Sequence, residues 1–331
     1  MAVLPTVIQG CITPAESLAL DRVLLQRAAD ERQPWLRVCT WPGDVLVLGR
    51  FHPPLAGAGV HRRLSGGRVV PGGAGFVQLS LALPHRSALE SDDPHALRPE
   101  QALNRAVRGI MGGLEMLGLE PYYPGRDVIT VGGKAIGWLS LAVEGGGATL
   151  VEAGICLARG LDVLPQLADR LDPHGEIPVT FWRAEETVTL SSALQSGAPE
   201  VRELGLAIAE GYRRRLQMEP VMTDAPVADG RMPIETRAPE RPHARRAVML
   251  GALLASARVD DEGALHDVWL GGDVIAPAAT LESLARTLEG RPPVEAELQN
   301  LIAGVLAQPD DFLLGATAKD VAAAVVAAAA R

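Results

Sequence analysis

The 331-residue chain has 31 basic residues, and only Lys134 and Lys319 among them are lysines. Arginine evidently serves wherever a generic surface cation is wanted, so a lysine inside a glycine-rich segment needs its own explanation. Lysine is a compact, titratable ammonium, which arginine is not. Lys134 follows Gly132-Gly133 and precedes Ala135-Ile136-Gly137, with Gly125-Arg126-Asp127-Val128-Ile129 just upstream. On a strand leaving a tight turn its backbone is fixed by the ladder. Its ammonium is then suited to neutralising charge on a phosphoryl or acyl oxygen as a leaving group departs. Asp127 is suited to holding a magnesium ion or the lysine itself. The plainer alternative is a glycine hairpin with an exposed lysine at its tip.

A second segment, Arg62-Arg63-Leu64-Ser65-Gly66-Gly67-Arg68-Val69-Val70, is followed by Gly72, Gly73 and Gly75. Glycines let backbone N–H groups approach an anionic ligand closely. Arg63 and Arg68 are placed to add charge-assisted bonds to a phosphate or carboxylate. The segment is neither GxGxxG nor GxxxxGK[ST], so it also reads as an ordinary structural turn.

The elements that must position these segments follow from periodicity. Residues 14–30 read as a helix with Pro14 in its first turn. Residues 35–39 and 44–49 read as strands around the Trp41-Pro42-Gly43-Asp44 turn. Two short strands are expected at 60–64 and 67–71, then a flexible break at Gly72, Gly73 and Gly75, then a strand at 76–83. Residues 84–98 read as loop and 99–119 as a helix interrupted by glycines. Residues 127–131 and the strand from Lys134 form a hairpin with a tight glycine turn. A further strand resumes at 148 after Gly145-Gly146-Gly147, and helices follow at 161–171 and 200–217. Residues 220–245 carry Pro220, Pro226, Pro233, Pro239 and Pro242 and read as a linker. Beyond it, strands are expected near 247–259 and 265–270, with helices at 277–289, 293–307 and 317–330. Strands come in adjacent pairs, so the fold class is α+β, with mixed or antiparallel sheets flanked by helices and a small α+β C-terminal domain. The domains are 1–220, a linker 221–245, and 246–331.

Composition excludes several classes. A net charge of -9 gives no footing for a nucleic-acid partner. The apolar run VAAAVVAAAA is short of a membrane span, and MAVLPTVIQG lacks the pattern of a secretory signal. Cys11, Cys39 and Cys156 are widely spaced, which argues against disulfides and fits a reduced, cytoplasmic setting. The seven histidines form no HExxH-type cluster.

The two glycine-rich segments, in this order, resemble the catalytic domain of the lipoate–protein ligase family within the wider biotin/lipoate ligase fold. PAESLALD (14–21) is similar to the family's opening helix, and WLRVCTWPGDVLVLGRFHPP (35–54) to its next element. RRLSGG (62–67) resembles its arginine–serine–glycine loop, GRDVITVGGKAIG (125–137) its lysine segment, and VEAGICLARGLDVLPQLADRL (151–171) the strand and helix that follow. LHDVWLGGDVIAP (265–277) and LEGRP (288–292) resemble its accessory domain.

The resemblance implies a two-step reaction in which ATP and lipoate give lipoyl-adenylate, and a lysine of a lipoyl-domain acceptor protein then takes the acyl group. It implies that Lys134 is catalytic and touches carbonyl and phosphate oxygens. Arg63, Ser65, Gly66, Gly67, Arg68, Val69, Gly75 and Gly137 would line the acyl-adenylate, and Asp127 would sit by the phosphate and its Mg2+. Gly72-Gly73 and Gly75-Phe76 stand where the family has His-Asp and Gly-Asn, and Glu152-Ala153-Gly154 where it has His-His-Gly. Two alternatives stay open. One is an octanoyl or lipoyl transferase acting without ATP. Arg68 resembles those enzymes, but Pro121–Gly125 holds no cysteine nucleophile, and Cys156 and Cys39 read as buried. The other is a non-catalytic binding protein of the same fold.

Overall fold

A computed structural model describes residues 2–172, 174–175, 180–227, 239 and 244–330. The elements run β1 (Ala2–Cys11), α1 (Pro14–Glu31), β2 (Trp35–Thr40), β3 (Asp44–Leu48), β4 (Val60–Arg62), β5 (Val70–Gly73), β6 (Phe76–Leu83), α2 (Pro99–Met116), β7 (Pro121–Tyr122), β8 (Val128–Val131), β9 (Lys134–Val143), β10 (Thr149–Cys156), α3 (Leu164–Leu171), α4 (Leu190–Ala193), α5 (Val201–Leu216) and β11 (Met218–Met222). After residue 243 come β12 (Ala244–Val248), β13 (Gly251–Val259), β14 (Leu265–Gly272), α6 (Ala278–Leu288), α7 (Glu295–Leu306) and α8 (Ala318–Ala329).

The main sheet has the order β11-β1-β2-β6-β10-β9-β8-β7. β1 is parallel to both β11 and β2, and the remaining pairs are antiparallel, so the sheet is mixed. One face carries Leu36, Val38, Leu79, Leu81, Val151, Ala153, Leu139 and Leu141 against α2 and α5 in the principal core. The other face meets α1 and, through residues 62–69, a small sheet of order β4-β3-β5. α1 begins where the Thr13 hydroxyl accepts the Glu16 N–H, with Pro14 in the first turn, and ends at Arg32 in the left-handed region. The C-terminal sheet β12-β13-β14 packs its own core with α6, α7 and α8. Leu250, Ile275 and Phe312 from that part also join the principal core.

Several expectations are corrected. Gly72 and Gly73 are no flexible break, because they end β5 paired to Val45 and Asp44 and are buried. The glycines of α2 do not interrupt it. They face α5 so closely that a Cβ on Gly113 would lie 2.5 Å from Ile208 Cα, and the Tyr212 hydroxyl donates to Ala106 O across the contact. The strand expected near 247–259 is two strands, broken at Met249-Leu250. β1 has no counterpart among the elements expected from periodicity, and β11 takes in Pro220–Met222, inside the stretch whose prolines read as a linker. Residues 228–238 and 240–243, most of that linker, lie outside the described residues.

Candidate functional site

Residues 63–69 join β4 to β5 and run beneath the main sheet. Arg63 N–H donates to Leu48 O, and Arg50 N–H to Ser65 O, which ties the loop to the end of β3. Arg63 is 1% exposed. Its guanidinium donates to Ser65 Oγ at 3.0 Å, Gly66 O at 2.5 Å, Arg68 O at 2.8 Å and Val47 O at 3.3 Å. It also stacks 4.9 Å above the Trp138 ring. These bonds shape the loop from within, and burial pulls the Arg63 pKa down to about 10, which leaves it charged at neutral pH.

The loop's own N–H donors are engaged. Ser65 N–H donates to Glu152 Oε2 at 2.6 Å, and Gly67 N–H to Val274 O at 2.7 Å. Gly66 O accepts from Ser140 Oγ at 2.8 Å. A Cβ on Gly66 would lie 2.2 Å from Val274 O, and one on Gly49 would lie 2.2 Å from Gly67 O. The glycines of this motif are thus required by close backbone approach.

Arg68 makes a bidentate pair with Asp127, at 2.6 and 2.9 Å, and stacks 4.9 Å above Trp182. This pair bonds the glycine loop to the residue just before β8. β8 turns into β9 through Gly132 and Gly133, both at positive φ, and Lys134 faces Val131 across the turn. The Lys134 side chain is exposed, and no hydrogen bond or ion pair to it occurs among the described residues. Ala135, next to it, pairs with Thr187 and accepts the Val188 N–H.

Of the sequence-predicted residues, Arg63, Ser65, Gly66, Gly67, Arg68 and Asp127 come together. Lys134 stands at the exposed turn of the strand pair that follows Asp127. Val69 is fully buried with Leu46, Leu48, Leu164 and Leu167. Gly75 accepts the N–H groups of Leu157, Ala158 and Arg159, and Gly137 packs so tightly on Gly154 that a Cβ would lie 2.5 Å from Gly154 O. Asp127 gives both carboxylate oxygens to Arg68, and no group of three or more His, Cys, Asp or Glu side chains suited to a metal occurs among the described residues. The residues present therefore do not fit Mg2+. Cys39 and Cys156 are buried, as expected, and burial raises both thiols, which removes them as ready thiolates.

Sequence reasoning assigns no role to the partners that hold the loop, and names Glu152 among them only as a departure from the family pattern. Arg37, Ser80, Glu152 and Ser140 are cross-strand neighbours on β2, β6, β10 and β9, a buried polar row on one sheet face. Arg37 bonds Asp21 at 2.5 Å, Ser17 O, Ser80 Oγ and Cys39 Sγ, which offsets the cost of burying its charge. Glu152 is pushed up to about 7 by burial and by nearby Asp21, against the lowering effects of Ser65 and Arg63. A lone acid in the apolar strand VEAGIC was the available signal. At the C-terminal side, fully buried His52 Nε2 lies 3.1 Å from Asp273 Oδ1 and 3.3 Å from Gly67 O. Asp273 Oδ2 accepts the Ala252 N–H. No local pattern announces that pair, since its members are far apart in sequence.

No protein-family model matches the chain, and no curated protein matches it. Solved structures do. The bipartite lipoate protein ligase of an archaeal lipoylation system from Thermoplasma acidophilum superposes with a TM-score of 0.51 at 16% identity, over 68% of this chain and 88% of that one. LipL1 of P. falciparum, solved in complex with lipoate, gives a TM-score of 0.61 at 12% identity, over 92% of this chain and 100% of its own. The chain has the fold of the lipoate–protein ligases.

Proposed function

We propose that this chain carries out lipoate–protein ligase-type acyl transfer, with residues 1–220 as the catalytic domain and 246–331 as the accessory domain. It takes a lipoate-like acyl group, activates it with ATP, and passes it to a lysine of a lipoyl-domain protein. The observation that carries this reading is the Arg68–Asp127 pair, which bonds the glycine loop to the segment that leads into Lys134. Within the ligase fold, that joins a candidate acyl-binding loop to a strand pair bearing an ammonium that is unpaired among the described residues. Lys134 would stabilise negative charge developing on the acyl oxygen as the acceptor amine attacks. The loop and sheet would hold the chain in register for that attack. An acyl-adenylate bound at the loop would have to draw the Ser65 and Gly67 N–H groups away from Glu152 and Val274.

Those two contacts favour a second reading, in which the chain binds a lipoyl-type group without adenylating it. Incubation of the protein with ATP, magnesium and lipoate separates the two. Release of pyrophosphate supports the ligase; its absence, with lipoate or a lipoyl domain still bound, supports the binding protein. Transfer from an acylated carrier protein in the absence of ATP would instead point to a transferase.

A further inference from the structure

Residues 180–188 run along the edge of the candidate site and touch it at three places. At one end the Thr180 hydroxyl donates to Asp273 Oδ2 at 3.4 Å, on the C-terminal side of the loop. At the other, Thr187 pairs with Ala135, and the Val188 N–H donates to Ala135 O at 2.9 Å, one residue from Lys134. Thr187 is itself fixed, because its hydroxyl donates to Asp162 Oδ1 at 2.9 Å. A short turn over Ala184–Glu186, closed by the Arg183 N–H on Glu186 Oε2, leads into it. Between the two ends the Trp182 ring lies over the Arg68 guanidinium, with its centroid 4.9 Å from Cζ.

Arg68 is thus held on two sides. Asp127 takes its Nε and Nη2, and Trp182 covers its face. The Arg68 and Asp127 side chains are 11% and 6% exposed. A bidentate pair open to water does little to hold two segments together, and a shielded one does more. Trp182 also packs against two apolar clusters. One contains Val69, the residue after Arg68, and the other contains Ala135, the residue after Lys134. Its neighbour Phe181 is 50% exposed.

We propose that Trp182 is a positioning residue for acyl transfer. It holds the Arg68 guanidinium in the plane that Asp127 takes, and through residues 183–188 it keeps the glycine loop in register with the Lys134 turn. Its role rests on the parts that the proposed function gives to the loop and to Lys134. Trp182 acts through Arg68, so its contribution disappears when Arg68 is removed.

The test is a double-mutant cycle on the full chain, with Trp182→Leu and Arg68→Met made singly and together. It is read by the rate at which a lipoyl domain is lipoylated with ATP, magnesium and lipoate, and by amide hydrogen exchange of residues 62–70 and 125–134. Trp182→Leu lowers the rate about tenfold, the scale of a desolvated cation–π contact, and speeds exchange in both segments. In the Arg68→Met background the same change lowers the rate less than about twofold, because the contact it removes is already gone. Trp182→Phe keeps a ring face and stays within about threefold of the wild type. The cycle is run in parallel with Trp182→Met, which keeps more of the bulk, so that a failure of Trp182→Leu to fold leaves the comparison intact. The rate decides where the wild type is active. An equal loss in both backgrounds assigns Trp182 to packing alone and overturns the proposal. So does a loss in Trp182→Phe as large as that in Trp182→Leu, or no loss in Trp182→Leu. A wild type that leaves the domain unmodified overturns the proposed function, and hydrogen exchange then decides the role of Trp182. Faster exchange in both segments that depends on Arg68 upholds the positioning; unchanged exchange, or a change of equal size without Arg68, overturns it.

Discussion

Glu152 is a carboxylic acid held where its charge is poorly tolerated. Its folded-state pKa of about 7 lies above the ordinary 4.5, so the folded chain binds this proton more tightly than the unfolded chain does. The associated stability is fully present below about pH 4.5 and is lost as pH rises through about 7, a difference on the order of 3 kcal/mol. Urea unfolding therefore shows Glu152→Gln to be more stable than the wild type at about pH 8, with the gain shrinking toward about pH 5. A constant difference across that range would contradict the assignment. Lys134 is the opposite case. Its side chain is exposed and unpaired among the described residues, so Lys134→Ala leaves the unfolding midpoint unchanged while lowering acyl transfer by about a hundredfold or more. At this scale the sequence was partly legible. The scarcity of lysine and the RRLSGG and GRD segments pointed to residues that do meet. Asp127 was read as a metal ligand because spacing cannot show that Arg68 reaches it. Glu152 was noted only as a departure, because the sequence does not reveal that its strand neighbours are Ser80 and Ser140.

At the scale of elements, the glycine loop is a piece of architecture. Gly49 admits Gly67 O, Gly66 admits Val274 O, and Arg63 binds the loop's carbonyls from inside. Gly66→Ala forces the loop off Val274 and costs about 2 kcal/mol in urea unfolding, the scale of overpacking at a tight contact. Gly145→Ala, which opens onto free space, leaves the midpoint unchanged. Equal effects of the two would show that the loop does not depend on this approach. Periodicity recovered α1, α2, β6, the hairpin around Gly132-Gly133 and the helices after residue 276. It missed β1, whose Pro5 and mixed burial blur the alternation, and β11, where Pro220 reads as a breaker. Strand pairing is tertiary information: β11 is a strand because β1 lies beside it.

At the scale of the whole molecule, the C-terminal part closes one side of the loop. Gly67 N–H donates to Val274 O, Gly272 N–H donates to Phe51 O, and the buried His52–Asp273 pair lies between them. Asp273→Ala strands the Ala252 N–H and leaves His52 without its acid, which costs about 3 kcal/mol in urea unfolding. A loss near zero would show that the contact does not hold the two parts together. The resemblance reached this scale because motif order spans most of the chain. The contact itself was not legible, since His52 and Asp273 come together only in the folded chain. In the proposed function the fold, the loop and Lys134 together carry an acyl group to a lipoyl-domain lysine. Its most direct test is the intact mass of a lipoyl domain after incubation with the protein, lipoate, ATP and magnesium, for the wild type and Lys134→Ala in parallel. Lipoylation by the wild type and its loss in Lys134→Ala are expected; an unmodified domain with the wild type, or equal lipoylation by both, would overturn the proposed function.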